Sequence, residues 1–134
     1  MVKKAKTKYT PKKIYKYCSG IYKCPLYVTK ETNTAILGRL FKQYDFDIKK
    51  WVPFTDNLTG SKALTAKVKT VAGDESVLLV ILVTKVDINT IAHEAYHVTE
   101  AYAEHYDLNN DDGYYNEAKA YLTGWVAECI YNSK

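Results

Sequence analysis

The stretch SVLLVILVTKVDINTIAHEAYHVTE, residues 76 to 100, decides the fold because its hydrophobic pattern changes period halfway along. Residues 76 to 84 are a nearly unbroken apolar run of strand length, far short of the roughly 20 residues a membrane-spanning helix needs. They predict a β-strand buried on both faces. After Val86 the period is helical: Ile88, Ile91, Ala95, Val98 and Tyr102 share one stripe at about 100° per residue. Asp87 or Asn89 is available as the cap. The strand is therefore expected to lead directly into an amphipathic helix over residues 88 to 106.

Upstream, residues 63 to 71 alternate through Leu64, Ala66, Val68 and Thr70, and Gly73-Asp74-Glu75 supplies turn chemistry, so a β-hairpin with the buried strand is expected. Residues 26 to 29 read as a short strand. Residues 33 to 44 have helical spacing through Ile36, Leu37, Leu40 and Phe41, with Thr32 or Asn33 as the cap, and Trp51, Val52 and Phe54 begin another extended segment. Downstream, a polar loop over residues 109 to 113 precedes a second helix over residues 114 to 131. A small sheet followed by two helices defines an α+β chain. Its 134 residues suffice for one domain with a modest core.

Charge divides the chain into two opposite ends beneath a formal net charge of +4. Residues 1 to 30 hold nine lysines and no acid; residues 87 to 134 hold nine acids against Lys119 and Lys134. Residues 1 to 13, with Lys3, Lys4, Lys6, Lys8, Lys12 and Lys13 and a turn at Pro11, read as a basic flexible arm ahead of a single domain at 14 to 134. Tyr15, Tyr17, Tyr22 and Tyr27 interleave with Lys16 and Lys23. Two readings fit them: a nucleic-acid surface of stacking rings and phosphate-seeking ammoniums, or a solubilising tail followed by half-buried tyrosines. Cys18, Cys24 and Cys129 are odd in number and form no Cys-x-x-Cys pair, which argues against a disulfide framework or thiolate zinc site and for buried or idle thiols. Neither a membrane span nor an apolar signal stretch is evident, so a cytoplasmic location is expected.

The chemistry concentrates in His93-Glu94-Ala95-Tyr96-His97. Helical residues i and i+4 lie one turn apart on one face, so both imidazoles can reach a single metal ion while Glu94 lies beside them, placed to polarise water. On the wheel His93, His97, Glu100 and Glu104 cluster opposite the apolar stripe. On the second helix Glu117, Tyr121, Gly124 and Glu128 share a face, and Ala118, Leu122, Trp125 and Cys129 supply the adjoining apolar one. If the polar stripes face each other, Glu117 approaches both histidines and Gly124 permits close packing. The alternative is a solvated polar face of i,i+4 pairs, each contributing only tenths of a kcal/mol. His105, in the last turn, suits the negative end of the helix dipole and reads as structural.

At these residues the chain resembles the gluzincin type of zincin metallopeptidase, in which HExxH is followed after a loop by a ligand glutamate, here Glu117 within Asn116-Glu117-Ala118. More narrowly, residues 91 to 97 together with Glu117-Ala118-Lys119-Ala120-Tyr121-Leu122-Thr123-Gly124-Trp125 look like small metallopeptidase-like proteins encoded by bacteriophages. The resemblance implies a reduced zincin-like domain: a small twisted sheet packed on an active-site helix and a C-terminal glutamate-bearing helix. Four residues after the ligand glutamate, the thermolysin-like pattern has an aspartate that supports a zinc histidine; this chain has Tyr121. Glu100 or Glu128 is the expected substitute, since metal-bound imidazole usually donates its other N–H to a carboxylate or carbonyl.

The expected activity is zinc-dependent hydrolysis of peptide bonds, with His93, His97 and Glu117 as metal ligands and Glu94 as the base that takes the proton of a zinc-activated water. Tyr96, Tyr114, Tyr115, Tyr121 and His105 are candidate oxyanion donors, and the strand over residues 63 to 71 is a candidate edge for an extended peptide substrate. Two other roles compete. One is a phage virion or assembly component that keeps the scaffold with a structural or lost metal site and contacts phage structural proteins, in the infected cell or in the particle. The other is a nucleic-acid-binding accessory protein acting through its basic arm.

Overall fold

The computed structural model describes residues 10–33, 35–37, 63–69, 76–108 and 113–134. Four strands form one sheet: β1 (Ile14–Tyr17), β2 (Leu26–Thr29), β3 (Ala63–Lys69) and β4 (Ser76–Leu82), in the order β1-β2-β4-β3. Two helices follow, α1 (Ile88–His105) and α2 (Gly113–Ser133). The class is α+β, as the pattern predicts. The expected extended segment at residues 51 to 54, the turn at 73 to 75, most of the helix over 33 to 44, most of the arm and most of the 109 to 113 loop lie outside the described residues.

β4 occupies an interior position because its side chains are apolar on both faces. Leu78, Val80 and Leu82 point into the cluster shared with the helices, and Val77, Leu79 and Ile81 into a second cluster with Val68 and Leu37. β3 pairs with it antiparallel from Ala63↔Leu82 to Lys69↔Ser76, which is the expected hairpin ladder. β2 pairs with the other edge of β4 in parallel, Leu26↔Leu78 to Thr29↔Ile81, so the chain from Lys30 onward must cross over before it returns as β4. β1 pairs antiparallel with β2 and was not anticipated as a strand. Tyr15 and Tyr17 stack on it at 6.4 Å, and Tyr17 shares a 2.6 Å hydrogen bond with Ser133 near the end of α2. All four early tyrosines are half-buried.

Each helix begins and ends for local reasons. Asp87 Oδ1 accepts from the Thr90 backbone N–H at 2.7 Å and from the Thr90 hydroxyl at 2.8 Å, which makes Asp87 the N-cap of α1. Asn33 caps the turn at residues 35–37 in the same way, accepting from Ala35 and Ile36 N–H groups. α1 ends in a Schellman motif. Leu108 N–H reaches the Ala103 carbonyl at 2.7 Å, Asp107 N–H reaches the Glu104 carbonyl at 3.4 Å, and Asp107 takes the left-handed φ of 55°. Leu108 then tucks into the core, turning the chain back toward α2.

Ile91, Ala95, Val98 and Tyr102 carry α1 onto the sheet, and Leu122, Val126, Cys129 and Ile130 carry α2 beside it. Tyr102 is fully buried and donates to the Cys24 carbonyl at 2.6 Å, while the Tyr106 hydroxyl accepts from the Cys24 N–H at 2.7 Å. Two tyrosines thus tie the start of β2 to the end of α1. Ile88 departs from the predicted stripe: as the first residue of α1 it lies beyond the sheet and is 85% exposed, beside a groove of about 530 Å³ shared with Tyr131. Among the described residues no helix is long and apolar enough to cross a membrane.

Candidate metal centre

The exposed ridge of α1 carries the two imidazoles, and the helix presents them as the i,i+4 spacing requires. His93 Nε2 and His97 Nε2 stand 3.0 Å apart, with the ring centroids 4.6 Å apart and the planes nearly perpendicular. Without a metal, an N–H of one ring donating to the other closes such a gap. With one, both lone pairs are directed at the cation. Two nitrogens each about 2.0–2.1 Å from a zinc ion at a tetrahedral angle are about 3.3 Å apart, so the separation of the pair differs from that by only a few tenths of an ångström.

Glu94 is placed differently from its neighbours. It is 4% exposed, on the side of α1 that meets β3, and its Oε2 accepts a hydrogen bond from the Thr65 hydroxyl. Its Oε1 lies 4.0 Å from His93 Nε2. One carboxylate oxygen is therefore held by the sheet and the other borders the imidazole pair. Thr65 reaches Glu94 because the alternation of β3 puts Thr65 on the helix side while Leu64 and Val68 pack on the opposite face. Sequence reasoning missed this partner; the alternation gave its face, but nothing in the sequence said which helical residue lay across from it.

The remaining predicted residues are not gathered at the pair. Lys119 Nζ meets Glu100 at 2.8 Å, Thr123 meets Thr99 at 3.0 Å, and Tyr131 and Lys134 line the groove with Ile88 and Asn89, so α2 runs antiparallel to α1. On that match Glu117 lies level with the last turn of α1, roughly 8 to 12 Å along the axis from His97 at 1.5 Å per residue. It is exposed, on the side of α2 it shares with Tyr121, Gly124 and Glu128. Among the described residues no three His, Cys, Asp or Glu side chains form a group able to hold a metal. The expectation that facing polar stripes bring Glu117 to the histidines is not met, because the packed face of α2 is the one carrying Leu122, Val126 and Ile130. Gly124 does not mark a close approach either, since a Cβ there would meet nothing within 4 Å.

The residues proposed to orient the imidazoles have other surroundings. Glu100 pairs with Lys119, and neither Tyr121, 80% exposed, nor Glu128 makes a hydrogen bond or ring contact with His93 or His97 among the described residues. Tyr96 packs against the His97 ring at 5.8 Å, and His105 meets the Tyr106 ring edge-on at 4.7 Å. The side chains of Tyr114 and Tyr115 lie outside the described residues. The thiols take no part: Cys24 and Cys129 are buried, and burial pushes each up to about 11, whereas Cys18 is exposed and all three are free. Comparison with protein-family models, curated proteins and solved structures finds no match to this chain.

Proposed function

We propose that the protein is a metal-dependent hydrolase of amide bonds, centred on His93, His97 and Glu94. The observation that carries this reading is the 3.0 Å separation of two outward-facing Nε2 atoms beside a buried carboxylate with one oxygen turned toward them. His93 and His97 would hold the ion, zinc by the chemistry of the donors, and a bound zinc lowers the pKa of its water from that of bulk water to about 7. Glu94 takes the proton of the attacking water and returns it to the leaving amine. β3, whose outer side pairs with no other strand among the described residues, offers backbone groups to an extended peptide.

Glu117, on the exposed side of α2 and level with the last turn of α1, is not gathered with the pair. That same gap supports the second reading, a phage structural component with the metal structural or lost. Metal analysis of purified wild type, His97→Ala and Glu117→Gln separates these possibilities. Stoichiometric zinc in wild type and none in His97→Ala supports the pair. Zinc retained in Glu117→Gln removes Glu117 from the ligand set. Absence of zinc from folded wild type in zinc-containing buffer transfers the argument to the scaffold reading. Peptide hydrolysis lost in Glu94→Gln with zinc retained identifies the base. The basic arm is the remaining candidate for a partner: Lys12 and Lys13 are exposed, and Lys13 Nζ lies 4.5 Å from the Tyr15 ring centroid. Nucleic-acid affinity there would fall steeply with salt and disappear on removal of residues 1 to 13.

A further inference from the structure

We propose that Thr65 is a positioning residue for Glu94, anchoring one carboxylate oxygen so that the other is held facing the imidazole pair. Glu94 sits on a helix and Thr65 on strand β3, 29 positions apart in sequence, so their contact is a product of the fold and not of the motif. The geometry divides the carboxylate. Oε2 accepts from the Thr65 hydroxyl, and Oε1 lies 4.0 Å from His93 Nε2. A carboxylate free to rotate about its last torsion would spend part of its time with neither oxygen turned to a water beside the histidines. A hydroxyl donor fixed on a strand removes that freedom.

Thr65 is itself held in place. Its backbone lies in register with Val80 in the middle of the β3–β4 ladder, and the flanking residues Leu64 and Ala66 point to the opposite face. The hydroxyl is therefore presented to α1 from a position within the hydrogen-bonded β3–β4 ladder. It donates to the carboxylate, and among the described residues no hydrogen bond joins it to either imidazole, so the role assigned to it is orientation. A geometric misplacement at a general base costs turnover more than binding.

The kinetic part rests on the hydrolase reading, and the test keeps the two apart. Thr65→Val preserves shape and removes the hydroxyl; Thr65→Ser preserves the hydroxyl. In the zinc-loaded protein acting on a fluorogenic peptide mixture, Thr65→Val is expected to lower kcat on the order of 10-fold with KM unchanged, and Thr65→Ser to restore most of it. The second measurement needs no activity. In the metal-free protein, NMR of wild type should show a protected Thr65 hydroxyl proton and a Glu94 carboxyl carbon signal that moves in Thr65→Val and returns in Thr65→Ser. A carboxyl signal identical in wild type and Thr65→Val overturns the proposal whether or not the protein turns over. Equal kcat for wild type and Thr65→Val in an active enzyme also overturns it. An inactive wild type with the NMR pattern present counts against the hydrolase reading and leaves the positioning contact standing.

Discussion

Adding zinc to the wild type and to His97→Ala puts the metal centre to a quantitative test. An ion that binds the native state stabilises it by RT ln(1 + [Zn]/Kd), about 2.7 kcal/mol at a hundredfold excess over Kd. Unfolding entropy near the melting point is about 2.1 cal/mol/K per residue, and over 134 residues this converts to a rise of roughly 10 °C in Tm. The histidines are already 3.0 Å apart on an 18-residue helix, so little of that gain is lost to rearranging the site. His97 is exposed, so alanine removes the imidazole without opening a cavity in the core. Differential scanning fluorimetry across a zinc titration should show the rise in wild type and a flat response in His97→Ala. An equal rise in both proteins would refute the assignment of the pair, as would a flat wild type that binds no zinc by calorimetry.

Three further outcomes follow from the fold. Tyr102→Phe removes the hydroxyl that donates to the Cys24 carbonyl at 2.6 Å in a fully buried setting, and should cost about 1–3 kcal/mol in urea denaturation; a neutral result would mean the carbonyl finds another donor. Asp107→Gly relieves a left-handed backbone at the Schellman position and should stabilise by about 0.5–1 kcal/mol in the same assay, whereas destabilisation would give the aspartate a separate role. A disulfide-exchange reagent should titrate one thiol per native chain, Cys18, and three after unfolding. Because Cys24 and Cys129 are raised from an ordinary 9.0 to about 11, their contribution to stability is fully present below pH 9 and is lost as pH rises toward 11, and denaturation midpoints across that window should fall.

Much of the frame was legible because single elements carry their own signals. β4 announces burial on both faces by an unbroken apolar run, α1 by its stripe and by Asp87, and the β3–β4 hairpin by alternation and turn residues. β1 was not legible: four residues at the sheet edge, rich in Tyr and Lys, become a strand only through pairing with β2. The parallel β2–β4 ladder is equally silent in sequence, since strand order depends on a crossover. At the candidate site the imidazole pair could be read from spacing within one helix. The location of Glu117 could not, because the level and phase of α2 against α1 are set by Leu122, Val126 and Ile130 and by the turn at residues 106–108. Motif spacing encodes neither. Thr65 illustrates the same limit from the other direction, being an ordinary strand threonine until the helix lies across it.

Parallel pairing of β2 with β4 also bears on the order in which the molecule assembles. The β3–β4 hairpin and the α1–α2 pair close over short stretches of chain, but β2 can dock on β4 only after everything between Thr29 and Ser76 has been brought into a loop. Closing that loop costs more chain entropy than closing either local pair. β1 and β2 pair with each other locally, yet the other side of β2 meets its partner only once that crossover has formed, and strand edges left open are where chains associate with one another.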